Sequence, residues 1–267
     1  MLNYFYELGY TFPYQGGSSG LKNLDLTRYL EIKIPLPPKE IQDQIISECE
    51  VIDSEVEVAE KLIIESKDEI KTHANELFTY PLKKLGNVCI KAVQYGANEK
   101  AIDGNPKIDY RYIRITDIKE DGSLNNDFKT AATIDEQYIL EEGDFLFARS
   151  GNTVGKTFLY KKEYGKAIFA GYLLRFKTDQ SILKPDLLNL ITKSDNYINW
   201  VASVQRGASQ PNINGRMYSD YEVPLPSSEI QNNFINDFNI LEQRIKESQA
   251  IIDGAAERKK EVMRKYL

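Results

Sequence analysis

Ile34-Pro35-Leu36-Pro37 and Glu40-Ile41-Gln42 occur a second time in this chain, as Val223-Pro224-Leu225-Pro226 and Glu229-Ile230-Gln231. The copies lie 189 positions apart, and the same offset carries an apolar series with it. Ile41, Ile45, Cys49, Ile52, Val56, Ala59, Ile63, Ser66, Ile70, His73 and Leu77 fall on Ile230, Phe234, Phe238, Leu241, Ile245, Ser248, Ile252, Ala255, Lys259, Val262 and Tyr266. From Cys49 onward steps of three and four alternate, the spacing of a coiled-coil seam. The period is far wider than the roughly 20–50 residues of a solenoid unit. It describes two matched long helices with a globular module threaded between them.

Working outward, the chain divides into four pieces. Residues 1–38 are a short leader with a Gly/Ser turn at Gly16-Gly17-Ser18-Ser19-Gly20 and a strand-like stretch Tyr29–Leu36. The first helix runs from Lys39 to about Tyr80, the module occupies 81–226, and the second helix occupies 227–267. Prolines stand directly before each helix, where a missing N–H costs little, and Ser228 with Gln231 has the spacing of a capping box. The module leaves the end of one helix and returns at the start of the other. A module of this size has a radius of gyration of about 15 Å, short against a seam of roughly 55 Å. Helices that pair along their length in one chain must therefore be antiparallel.

The module reads as mixed α/β. Tyr110–Ile118 alternates apolar and polar, Asp144–Arg149 is a short apolar run, and Thr157–Lys161 and Tyr172–Lys177 are further strand candidates. Residues 185–204 keep a helical spacing through Leu187, Leu188, Ile191, Ile198, Val201 and Val204.

Composition bounds the chemistry. Net charge is −6, but 38–80 alone holds 4 basic and 12 acidic residues while 81–226 holds 20 basic and 18 acidic. The acidity belongs to the first helix, and the module is mildly basic, permissive for DNA. The acids exceed what Arg258, Lys259, Lys260, Arg264 and Lys265 of the second helix require, which suits a basic protein partner along the rod. No apolar run approaches the roughly 18 residues of a membrane span, and the N-terminus lacks the basic region and the small-residue cleavage site of a secretion signal. Cys49 and Cys89 stand alone and the chain has 1 histidine, so no standard zinc cluster is expected and a reducing cytoplasm fits. There is no phosphate-binding Gly-rich loop, no Asn/Asp-Pro-Pro-aromatic motif of an amino-methyltransferase, and no convincing nuclease carboxylate set. His73 lies on the seam, where packing explains it. No catalytic residue, cofactor or metal is expected.

Binding residues are easier to find. Gln94, Tyr95 and Asn98 with Lys100 form one Gly-containing loop, Arg149, Ser150, Asn152 and Lys156 a second, and Arg206, Ser209, Gln210, Asn212 and Asn214 a third. Asn and Gln pair bidentately with adenine and Arg with guanine, while cations beside them suit phosphates. Each such stretch is equally a simple turn; three of them with flanking cations lean towards recognition. A protein-binding coiled-coil module without DNA specificity is the other reading, and salt dependence of DNA binding separates the two.

In these features the chain resembles the specificity subunit of type I restriction–modification systems. The resemblance covers most of the chain. It rests on Pro35-Leu36-Pro37-Pro38-Lys39-Glu40-Ile41-Gln42 and its second copy, on Leu85-Gly86-Asn87-Val88, and on Tyr112-Ile113-Arg114-Ile115-Thr116-Asp117-Ile118. Glu142-Gly143-Asp144-Phe145-Leu146-Phe147-Ala148-Arg149-Ser150-Gly151 and Ser209-Gln210-Pro211-Asn212 complete it. The resemblance implies an α+β target-recognition domain with two long helices forming an antiparallel coiled coil. It implies a non-catalytic role: reading half of a split double-stranded DNA site, docking modification (methyltransferase) subunits along the rod, and later joining a restriction subunit. Family members carry two recognition domains. Here residues 1–38 correspond to the end of a first one, so a half-length subunit or fragment is expected, acting as a homodimer on a two-fold symmetric split site.

Overall fold

The repeated prolines end in helices, as their spacing requires. The computed structural model describes residues 12, 15–16, 23–31, 33, 36–205 and 211–267; the Gly17–Gly20 part of the leader turn lies outside them. Two compact units emerge, one formed by Met1–Ser66 with Gln243–Leu267 and the other by Lys67–Glu242. Among the described residues no helix is long and apolar enough to cross a membrane.

In the first unit, β1 (Gln15–Gly16) pairs antiparallel with β2 (Asn23–Leu24). Next comes the short helix α1 (Leu26–Leu30), capped by Asp25, whose carboxylate accepts from the Arg28 N–H at 3.2 Å. This helix takes Tyr29 and Leu30 out of the expected strand: an Asp N-cap outweighs weak alternation. The long helix α2 (Lys39–Glu76) follows, and α6 (Ser228–Tyr266) closes the chain. Within this unit α2 buries Ile45, Ile52, Ala59 and Ser66, one residue per heptad, and α6 buries Ser248 and Met263. Arg258 reaches Glu55 at 2.5 Å, Lys259 reaches Asp53, and Lys265 and Tyr266 reach Glu48 at 2.7 and 2.6 Å. Numbers rise along one helix as they fall along the other, so these contacts are antiparallel. Met263 is buried where Val262 was expected, and in the second unit Ala74 is fully buried where His73 was expected. A 3.6-residue turn drifts about 20° per heptad against a strict 3.5-residue seam, and one-residue slips result.

The second unit holds the sheets. Four antiparallel strands run in the order β4 (Gln94–Tyr95), β11 (Leu173–Phe176), β8 (Phe145–Ala148) and β9 (Thr157–Leu159). Separate pairs join β5 (Ala101–Asp103) to β7 (Lys129–Ala131) antiparallel and β6 (Arg111–Ile113) to β10 (Ala167–Phe169) in parallel. A further antiparallel pair, β3 (Leu82–Lys84) with β12 (Glu222–Pro224), contains the second proline motif, and the Leu225 N–H continues it to the Pro81 carbonyl at 2.8 Å. β8 is buried at every position. Its Phe147 packs on Phe145, Phe176, Tyr197 and Tyr218 with ring centroids 4.5–6.3 Å apart.

Two expectations are corrected. Tyr110–Ile118 is strand only over Arg111–Ile113, because Asp117 is fully buried and folds the chain back: its carboxylate accepts from the Arg114 N–H at 2.8 Å and from Nε at 2.9 Å. Residues 185–204 form two helices, α3 (Pro185–Ile191) and α4 (Asp195–Gln205). Ser194 makes the break: its hydroxyl donates to the Ile191 carbonyl at 2.7 Å and accepts from the Tyr197 N–H at 3.1 Å. Last in the unit, α5 (Gly215–Asp220) precedes β12.

The repeated glutamine also differs from its expected role. Gln42 Nε2 donates to the Pro37 carbonyl at 2.8 Å, and Gln231 Nε2 donates to the Pro226 carbonyl at 3.1 Å. Both copies satisfy the carbonyl five residues back. The capping hydroxyl of α6 belongs to Ser227, which accepts from the Ile230 N–H at 3.4 Å, and not to Ser228.

Candidate nucleic-acid interface

Loops that are far apart in sequence meet at one end of the four-stranded sheet. β8 ends at Ala148 and delivers Arg149 into a turn over Gly151–Thr153. The Arg149 N–H donates to the Tyr172 carbonyl at 3.0 Å, and the Arg149 carbonyl accepts from the Ile213 N–H at 2.8 Å. Gly151 N–H adds a bond to the Pro211 carbonyl at 3.1 Å, beside a bridge between Ser150 and Asn212. The third loop is thus stitched to the second. The first is held by Gly96: a Cβ there would sit 2.3 Å from the Ala170 carbonyl oxygen, so only glycine lets that backbone press against 170–171. Its neighbour Tyr95 accepts from the Gly215 N–H at 3.3 Å and so touches the third loop as well.

Arg149 is the centre of this arrangement. Its guanidinium carbon lies 5.1 Å from the Tyr95 ring centroid and 5.7 Å from that of Tyr172, within cation–π range. Nε donates to the Gly171 carbonyl at 3.2 Å. Around it lies an open depression lined by Ile115, Arg149, Ser150, Gly151, Tyr172, Pro211 and Asn212, with a volume of ≈ 620 Å³. Among the described residues no carboxylate is in that lining.

The structure sorts the expected residues. Tyr95, Arg149, Ser150 and Asn212 are brought together, and Asn98, Lys100, Asn152 and Asn212 are exposed. Three others have internal duties. Gln94 donates from Nε2 to the Gln137 carbonyl at 3.2 Å and accepts from Arg175. Lys156 pairs with Glu120 at 2.7 Å. The Asn214 side chain caps α5 by accepting from the Met217 N–H at 3.0 Å. Arg206, Ser209 and Gln210 lie outside the described residues. Sequence reasoning missed Tyr172, an exposed aromatic beside the arginine, because it read the stretch only as a strand.

Among the described residues no group of three His, Cys, Asp or Glu could hold a metal ion. Burial pushes the Cys89 thiol up to about 12, and its Sγ donates to the Leu85 carbonyl at 3.2 Å, so it is no nucleophile near neutrality.

Comparison with known families gives one match, over residues 79–253, to the type I restriction modification DNA specificity domain. The chain belongs to that family. It is therefore a non-catalytic component concerned with DNA specificity. Solved structures agree on the fold. An S subunit of a type I restriction-modification system from M. genitalium superposes with TM-score 0.64 at 13% identity, covering 100% of this chain and 70% of that one. A structure describing complex assembly and conformational transition of the type I R-M system gives 0.56 at 18% identity, covering 94% and 64%. The HsdS subunit from Thermoanaerobacter tengcongensis gives 0.52 at 16%, covering 97% and 67%. The chain thus spans about two thirds of the subunits it resembles. No curated protein matches it.

Proposed function

We propose that this chain reads one half of a split DNA site for a type I restriction–modification assembly. On this reading residues 81–226 are the recognition module, and 39–80 and 227–267 are the helical regions. The observation that supports it best is the convergence of the 94–98, 149–155 and 211–215 loops on an arginine-centred depression without a carboxylate. Exposed amides beside an unneutralised cation suit base edges, with Lys100 and the exposed Arg216 available to phosphates. The two long helices form a coiled coil that docks modification subunits, a restriction subunit joins the full complex, and a second copy of the chain reads the other half-site.

Co-expression with the partner modification subunit, followed by mapping of methylated bases, tests this. A soluble complex that methylates a new split motif is expected, with DNA affinity falling steeply as salt rises. Absence of a new motif from a co-purifying complex, or salt-insensitive binding, contradicts the reading. A monomeric assembly that methylates an asymmetric split site contradicts the second-copy arrangement alone.

A further inference from the structure

Arg149 differs from an ordinary surface arginine in how little freedom its head group has and how much donor capacity it leaves unused. Nε is tied to the Gly171 carbonyl, and the guanidinium carbon lies within 6 Å of two ring centroids. The Tyr95 ring is tied through its hydroxyl, which accepts from the Gly215 N–H, and the Tyr172 backbone carbonyl accepts from the Arg149 N–H. Among the described residues the two terminal amines, Nη1 and Nη2, have no hydrogen-bond or ion-pair partner. The result is a planar, immobilised two-donor edge, and an arginine whose rotamers are already restricted loses less entropy when it binds.

We propose that Arg149 is a specificity-determining residue that reads one guanine of the half-site through its O6 and N7 atoms, with Tyr95 and Tyr172 as positioning residues. The inference rests on the DNA-recognition reading above and adds to it the base and the residue. A planar fork suits a bidentate partner, either a phosphate or a guanine edge, and two further features favour guanine. The polar side chains around it, Ser150 and Asn212, are neutral hydrogen-bonding groups suited to base edges. Exposed cations suited to phosphates, Lys100 and Arg216 (the latter 3.8 Å from Asp220), stand elsewhere in the unit. Tyr172 is 56% exposed, so its ring lies beside the arginine without belonging to a core.

The test uses the full chain in complex with its modification subunit and duplexes carrying the mapped motif. Each motif guanine is replaced in turn by 7-deazaguanine, which removes the N7 acceptor, and each nearby phosphate by an uncharged methylphosphonate. Wild type should lose about tenfold in affinity at one guanine, the scale of one bidentate contact. R149K, which keeps the charge but not the fork, should be indifferent to that same replacement while melting at the wild-type temperature. Y172A should show part of the effect and Y172F none. Coupling of R149K to a methylphosphonate instead of to a guanine, or full retention of guanine discrimination by R149K, overturns the inference and leaves the function intact. A wild-type complex with no motif preference overturns both.

Discussion

Arg175 lies in β11 and Arg149 directly follows the neighbouring strand β8, each with its guanidinium carbon 5.1 Å from an aromatic centroid, Phe169 for the first and Tyr95 for the second. Beyond that contact they diverge. Arg175 donates to the Ile139 carbonyl at 2.8 Å, the Gln137 carbonyl at 3.0 Å, Gln94, and the fully buried Asp144 at 3.1 Å. Arg149 makes one side-chain bond, through Nε. One arginine spends its donors inside the protein and fixes the sheet; the other is positioned by it and keeps its donors for something else. The motif from Glu142 to Gly151 joins the two, since Asp144 opens β8 and Arg149 follows its end.

Breaking the internal arginine should have the largest effect. Arg175→Met leaves the buried Asp144 with only Lys177, 3.9 Å away, as a cation, and we expect a loss of about 3 kcal/mol in chemical denaturation, the low end for a broken buried pair because Arg175 is 14% exposed. Burial already holds the Asp144 carboxyl above its ordinary value of 3.8, against the opposing Glu141 N–H and Arg175. A raised carboxyl favours the folded state more as pH falls towards the unfolded value, so the deficit of the variant should shrink in acid. A deficit that grows in acid would contradict the assignment.

The repeat offers a second contrast of the same kind. Gln42 makes one bond, to Pro37. Gln231 donates to both the Pro226 and Ile182 carbonyls and accepts from the Lys184 N–H at 3.1 Å. Gln231→Ala should cost about 1–3 kcal/mol, because three backbone groups, one in a buried bond and two in partly buried ones, lose partners, and Gln42→Ala about 1 kcal/mol or less. Equal losses would mean that the Ile182–Lys184 clasp adds nothing.

These contrasts show what the chain disclosed in advance. The long helices were legible because a heptad pattern is local and occurs twice. So were β8, β9 and β11, which are short apolar runs. Arg175 read only as a strand residue, and its role needs Gln94, Gln137 and Asp144, brought from 31 to 81 positions away. Ser194 looked like part of one helix because a side-chain cap leaves no break in hydrophobic periodicity. Three recognition loops were nameable from composition, but their meeting depends on Gly96 approaching Ala170 and on the Ser150–Asn212 bridge. Composition also could not separate Asn152 and Asn212 from the equally exposed Asn214, which spends its amide oxygen on a helix cap.

Removing Arg149 should barely change stability, and this sharpens the opening contrast. Arg149→Ala loses one 3.2 Å bond and the ring contacts, an expected cost of about 1 kcal/mol or less. DNA discrimination should nevertheless fail. A loss matching that of Arg175→Met would place Arg149 among the structural residues.

The smallest effect is expected from charges that are paired yet exposed, which separates pairing from burial as the cause of stability. Lys265 and Tyr266 hydrogen-bond the Glu48 carboxylate and hold it below its ordinary value of 4.5, and Arg258 does the same for Glu55. Depressed carboxyls contribute fully above the unfolded value and lose that contribution as pH falls through the lower folded one, opposite in sign to Asp144. Water and salt screen such pairs. A Glu48→Gln/Glu55→Gln double variant should therefore melt only slightly below wild type at neutral pH and low salt. The gap should close in about 1 M salt and again below the ordinary glutamate range, whereas the Arg175→Met deficit should survive the salt. If the exposed pairs kept their effect in salt while the buried pair lost its own, burial would not be what distinguishes them.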